Sequence, residues 1–284
     1  MRRRISPLAI LIALLLTCIA LPFTSTLAPK HARAAAAIAN DTQSLRILFI
    51  GNSLTDYNAQ TDGTYNRNNL PLVFQQLAQA GNYTVEVHDN IMLGQSLQDQ
   101  WDAGDADNLI KNGGPWDYVV LQDSSTLPVD DPQTFYSDVR LFIPDIRNAG
   151  AQPLLFENWP LVGTPPDTIN TLTNSYQTIS QEQNVPVIPF GQAWSNALQT
   201  YSTSDLFDDD RHPVYAGTYL NACTLYGFLF QQNPVGLSSL DLNQFTSIDA
   251  NDLQTIAWNT VQNSPFGGLA LAPTSSNTIG ALAA

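Results

Sequence analysis

Positive charge is the scarcest property of this chain. Of 284 residues, 11 are lysine or arginine against 25 aspartate or glutamate, and lysine occurs only at Lys30 and Lys111. Nucleic acids and anionic membrane surfaces are held through clustered cations, so a chain this acidic is not built for either partner. Cysteine is equally sparse, with Cys18 and Cys223 alone. Cys18 falls in a segment expected to be removed, which excludes an intrachain disulfide and leaves stability to packing. Cys223 sits in an apolar helical pattern and reads as a small buried hydrophobe. Histidine is limited to His31, His88 and His212, which makes any search for a general base short. No internal repeat is present, so the chain is not a repeat array.

The one long apolar run lies at the N-terminus, from residue 7 to about 23. It follows Arg2, Arg3 and Arg4 and precedes a small-x-small site at Ala32-Arg33-Ala34. Basic flank, apolar centre and cleavage site together read as a secretory signal peptide, residues 1–34, cut after Ala34. The run is on the short side for a stable span, so no membrane attachment is expected after cleavage. The expected destination is extracellular. Removal takes Arg2, Arg3, Arg4, Lys30 and Arg33 and no acidic residue, leaving six basic against 25 acidic groups, a formal net charge of −19.

Residues 35–44 read as a polar lead-in, 45–263 as one α/β domain and 264–284, rich in Gly, Ala, Pro and Ser, as a disordered tail. Within the domain, short β-rich runs alternate with helical patterns. Strands are expected at 46–50, 83–88, 117–121, 152–156 and 185–190. Helices are expected at 69–79, 97–110, 132–148, 168–181, 191–198, 215–230 and 249–261, with an acidic loop at 202–213. That alternation predicts a three-layer α/β/α sandwich around a mostly parallel five-stranded sheet.

The strand Arg46-Ile47-Leu48-Phe49-Ile50 stops at Gly51-Asn52-Ser53, which delivers a hydroxyl to the sheet edge where open α/β folds bind ligands. The same residues also suit a Gly-Asn turn with Ser53 capping a helix. A nucleophilic serine needs a base. His31 leaves with the signal peptide, and His88 falls on the polar side of an alternating strand. His212 lies in Asp208-Asp209-Asp210-Arg211-His212-Pro213 ahead of a helix whose start Pro213 would favour. Asp209, three residues earlier, can curl back to hold the other imidazole nitrogen.

Gly51-Asn52-Ser53-Leu54-Thr55 resembles the first block of the SGNH (GDSL-like) hydrolases, with Asn52 where aspartate is commoner. Asp209-x-x-His212-Pro213 resembles their last block, and Leu93-Gly94-Gln95-Ser96-Leu97 the glycine-bearing second block. The match spans roughly residues 45–232. It implies the flavodoxin-like SGNH fold, a serine esterase acting through an acyl-enzyme and no cofactor. By resemblance Ser53 is the nucleophile, His212 the general base and Asp209 its orienting partner. The N–H groups of Ser53 and Gly94 would be oxyanion donors. The third block, normally Gly-x-Asn-Asp, is replaced by Gln122-Asp123-Ser124-Ser125, so the third donor falls to Gln122 or Ser124, with Gln122 preferred as an amide, or both cap the strand and the third donor is absent.

Other readings stay open. Trp159, after the next strand, could wall a substrate cleft or fill the core. Tyr57, Asn58 and Trp101 could line the same cleft. Asp205, Asp208, Asp209 and Asp210 could hold a hard cation such as calcium, or serve a metal-dependent hydrolase. A non-catalytic carbohydrate-binding protein could also keep this fold. The expected partner is a small-molecule or polysaccharide ester, and the sequence sets no oligomeric state.

Overall fold

A computed structural model describes residues 44–57 and 68–266. The signal peptide expected at 1–34, the expected lead-in short of Ser44, Asn58 and the expected tail past Phe266 lie outside the described residues. Five strands form one sheet: β1 (Leu45–Gly51), β2 (Val85–Ile91), β3 (Tyr118–Leu121), β4 (Gln152–Phe156) and β5 (Val187–Ile188). Their spatial order is β2-β1-β3-β4-β5, and every neighbouring pair is parallel.

The register pairs Gly51 with Ile91, Ile50 with Leu121, Leu121 with Leu155 and Phe156 with Ile188. All five carboxyl ends therefore share one edge. The chain passes from β1 to β2 on one side, then crosses to β3 on the other. That reversal opens a crevice between the ends of β1 and β3, the usual ligand position in such sheets.

The helices are α1 (Leu70–Ala80), α2 (Leu97–Ala103), α3 (Asp105–Asn112), α4 (Leu127–Asp130), α5 (Pro132–Asn148), α6 (Thr168–Gln183), α7 (Phe190–Ala197), α8 (Thr203–Leu206), α9 (Tyr215–Phe230) and α10 (Ala250–Gln262). Alternation along β1 sends Ile47 and Phe49 to one face of the sheet and Leu48 and Ile50 to the other. The first face packs against α1, α7, α9 and α10, the second against α2, α3, α5 and α6. Each large apolar side chain buried in these layers contributes roughly 1.5–3 kcal/mol. The α9 helix is apolar around its whole circumference and almost wholly buried, Cys223 included. No helix among the described residues is long and apolar enough to cross a membrane.

Several expected boundaries shift for local reasons. The helix expected over 97–110 is two, because Gly104 adopts φ +83° and ends α2. The last strand is cut to Val187–Ile188 as α7 begins at Phe190. The acidic loop holds the short helix α8, where Ser202 and Asp205 form a reciprocal capping box. Pro213 does not start α9; it pairs in an antiparallel bridge with Phe207, and Val214 is the N-cap.

Candidate active site

Gly51 ends β1 in a space that admits no side chain. A Cβ there would lie 2.5 Å from Thr55 Oγ1 and 2.8 Å from Gln122 Oε1. The next residue is tied down on both sides. The Asn52 N–H donates to Gln122 Oε1 at 2.7 Å, and the Thr55 hydroxyl donates to the same oxygen at 3.2 Å. The Asn52 side chain donates to the carbonyls of Gln95 (3.0 Å) and Asp123 (3.4 Å) and accepts the Leu54 N–H at 3.2 Å. An aspartate here would face two carbonyls with no proton to give, which accounts for asparagine at this position. The turn bearing Ser53 is thereby fixed to the loops after β2 and β3.

The His212 loop is built as firmly. Asp209 Oδ1 accepts the N–H groups of Arg211 and His212, each at 2.8 Å, a carboxylate-closed turn. The Asp208 N–H donates to the His212 carbonyl at 2.9 Å beside the Phe207–Pro213 bridge. Two bonds from the loop after β4 close over it: Trp159 Nε1 to the Arg211 carbonyl at 3.0 Å, and the Val162 N–H to the Asp210 carbonyl at 2.8 Å.

These loops bring three residues into one line. His212 Nε2 lies 2.9 Å from Ser53 Oγ, and His212 Nδ1 lies 2.7 Å from Asp209 Oδ2. Aspartate can only accept, so Nδ1 carries the proton and Nε2 is left to accept from the serine hydroxyl. Partial burial pushes the Asp209 carboxyl up, but the His212 N–H, the imidazole and the Arg211 N–H outweigh it and hold the group at about 2. It therefore stays ionised at any ordinary pH.

Tyr57 lies flat on His212, with ring centroids 4.1 Å apart and planes 9° from parallel. Desolvation, then the charges of Asp208 and Asp209 and a hydrogen bond to Asp208, raise its phenol above the usual range. Gly94 sits at φ +74° in the turn after β2, a conformation that side-chain-bearing residues rarely adopt. Among the described residues, neither the Ser53 nor the Gly94 N–H has an internal acceptor.

Two expected site residues have other positions. Gln122 is fully buried: its oxygen takes the two bonds already described, and its nitrogen donates to the Asp123 carbonyl. It shapes the serine turn, and its complete burial keeps its side chain from the surface of the site. Ser124, the other candidate, is half-buried on the same loop. Its N–H is held by Asp123 Oδ1 at 2.7 Å and its carbonyl by Asn158 Nδ2 at 2.9 Å. Trp159 is no cleft wall; it is 1% exposed and stacks on Trp194 at 4.3 Å in the core. Trp101 packs edge-on against Phe142.

The aspartates of the 202–213 segment are directed to separate partners: Asp205 to Ser202, Asp209 to His212 and Asp210 to Arg211. Among the described residues, no group of three or more His, Cys, Asp or Glu side chains could hold a metal ion. His88 pairs with Glu86 at 2.6 Å, away from this line. The anchoring roles of Asn52, Gln122 and Asn158 escape motif reading. Their one sequence signal is an amide one or two residues after the end of each of three buried strands.

Behind the site, burial raises several carboxyls. Glu157, fully buried after β4, is pushed up to about 8, against bonds from the Gln192 N–H (3.0 Å) and Thr173 hydroxyl (3.1 Å). Burial likewise lifts Asp123 to about 7 and Asp138 to about 6.

No family model matches the sequence, and no curated protein matches it. Solved structures do. A protein assigned as an SGNH hydrolase from Slackia heliotrinireducens is 23% identical, with TM-score 0.50 over 64% of this chain and 97% of that one. A DUF4886 family protein from Bacteroides uniformis is 16% identical, with TM-score 0.59 over 78% of this chain and 96% of that one. A variant of an acetyl-xylooligosaccharide esterase from Geobacillus stearmophilus is 18% identical, with TM-score 0.53 over 66% and 95%. At these identities the likeness shows the fold, which is that of the SGNH hydrolases.

Proposed function

We propose that this chain is a secreted serine esterase that hydrolyses carboxylic esters through an acyl-enzyme. One observation carries the reading: the line from Asp209 through His212 to Ser53, with links of 2.7 and 2.9 Å. Each link has the chemistry that nucleophilic catalysis requires. Ser53 Oγ attacks the ester carbonyl carbon while His212 Nε2 takes the hydroxyl proton. Asp209 holds the imidazole in the required tautomer and stabilises the imidazolium.

Negative charge then gathers on the carbonyl oxygen, where preorganised N–H donors contribute several kcal/mol. The Ser53 and Gly94 N–H groups take that role. With Gln122 fully buried inside the turn, the Ser124 hydroxyl is the third donor. Collapse of the tetrahedral intermediate breaks the bond to the alcohol oxygen, which receives its proton from His212. Water repeats the sequence on acyl-Ser53, with His212 again as base, and releases the acid.

The substrate class we favour is an acyl ester, acetyl foremost, on an extracellular carbohydrate. The signal peptide expected at residues 1–34 supports the location. An acetyl-xylooligosaccharide esterase with the same fold supports the substrate class. A screen of p-nitrophenyl esters of increasing chain length beside acetylated xylan tests both halves. Turnover of short esters and release of acetate agree with the proposal, whereas no turnover of any ester overturns it.

A further inference from the structure

Tyr57 belongs to the same loop as Ser53, four residues on, and its ring covers one face of His212. Its backbone is fixed independently of the histidine. Asp56 forms an antiparallel bridge with Asn69, and Asn69 Nδ2 donates to Asp56 Oδ2 at 2.8 Å while capping α1 through its oxygen. The Leu70 N–H donates to the Thr55 carbonyl at 3.0 Å. The phenol reaches Asp208, whose N–H holds the His212 carbonyl at 2.9 Å. The tyrosine thus meets the histidine loop at the imidazole face, with the Asp208 carboxylate beside its phenol.

The line of Asp209 and Ser53 holds His212 at two edge nitrogens, and the Cβ tether limits swing of the ring about that axis without fixing its exact tilt. A flat neighbour at 4.1 Å and 9° fixes it. The π face also favours the imidazolium that forms as the serine attacks. We infer that Tyr57 is a positioning residue, a brace between the nucleophile loop and the base loop that sets the plane of His212. This rests on reading His212 as the general base. Tyr57 would then act through the histidine rather than by touching the ester.

The test is a kcat and KM comparison of Tyr57→Leu and Tyr57→Phe on a short p-nitrophenyl ester, with histidine ring-proton spectra of the same proteins. A misplacement of about 1 Å at a reacting group can cost on the order of 100-fold, so Tyr57→Leu should lower kcat about 10- to 100-fold with KM little changed. Tyr57→Phe keeps the ring and should recover most of that loss. The wild-type His212 ring protons, assigned by their disappearance in His212→Asn, should be shifted upfield by the stacked ring. That shift should persist in Tyr57→Phe and vanish in Tyr57→Leu.

A rise in KM at unchanged kcat would make Tyr57 a substrate contact and overturn the brace. So would wild-type kcat in Tyr57→Leu. An upfield histidine in a wild-type protein that hydrolyses no ester would retain the stack but overturn its catalytic purpose, and with it the esterase reading. Loss of activity with no upfield shift in the wild type would overturn the brace alone.

Discussion

Gln122 Oε1 accepts the N–H of Asn52, the residue before Ser53, at 2.7 Å inside the fully buried end of β3. The bond runs between the first and third strand-end loops and makes Gln122 a part of the serine turn. Replacing it with methionine keeps the volume but leaves the Asn52 N–H and the Thr55 hydroxyl without an acceptor. Unfolding titrations should show a loss of about 1–3 kcal/mol. Ser124→Ala should instead leave stability unchanged and lower kcat about 100-fold, the usual effect of losing an oxyanion donor. Normal stability for Gln122→Met, or normal kcat for Ser124→Ala, would reverse these assignments.

Asp209 and Asp210 are adjacent but differ in partner. Asp209→Asn offers His212 Nδ1 either a mispaired donor or a weaker acceptor, and kcat should fall on the order of 1,000- to 10,000-fold. The Asp210 carboxylate pairs with the exposed Arg211 guanidinium, so Asp210→Asn should stay within about threefold of wild type. Steady-state kinetics on one short ester compares the two, and a larger loss at Asp210 would mean the wrong aspartate has been paired with His212.

Trp159 links the core to the histidine loop through a single bond to the Arg211 carbonyl. Trp159→Phe preserves an aromatic ring against Trp194 but removes that N–H. The expected cost is about 1 kcal/mol of stability, measured by thermal or denaturant unfolding, with a few-fold fall in kcat as the loop loosens. A rise in KM alone, with kcat and stability unchanged, would return Trp159 to the substrate cleft.

Glu157 gives a pH dependence of stability with a definite sign. Its folded carboxyl titrates at about 8, whereas an unfolded glutamate titrates near about 4.3. Between these values the folded state holds more protons than the unfolded state, so stability falls as pH rises. Asp123 and Asp138 act in the same direction over narrower windows. Denaturant midpoints should therefore decline from about pH 5 to pH 8, and Glu157→Gln should flatten the decline. An unchanged slope in that variant would mean that Glu157 is ionised when folded.

The architecture was legible because burial on both faces leaves a plain mark: β1, β3 and β4 are near-continuous apolar runs, and Gly, Asn and Pro punctuate the helices between them. The pairing of Asp209 with His212 was legible because a three-residue spacing closes locally. The fate of Gln122 was not. An amide at a strand end can turn outward to a ligand or inward to a turn, and the choice depends on Asn52 and Thr55, some 70 residues away. Trp159 was ambiguous for a related reason, since its stack on Trp194 and its bond to Arg211 both join distant segments. Tyr57 was read only as a cleft residue because aromatic stacking on an imidazole has no sequence spacing.

Covalent labelling bears on whether Ser53 is a nucleophile activated by His212. A fluorophosphonate probe should modify the wild-type protein at one serine, identified as Ser53 by peptide mass analysis. Labelling should disappear in Ser53→Ala and slow by orders of magnitude in His212→Ala, with both variants folded. Labelling that survives Ser53→Ala, or ester hydrolysis by a wild-type protein that the probe does not touch, would contradict the account.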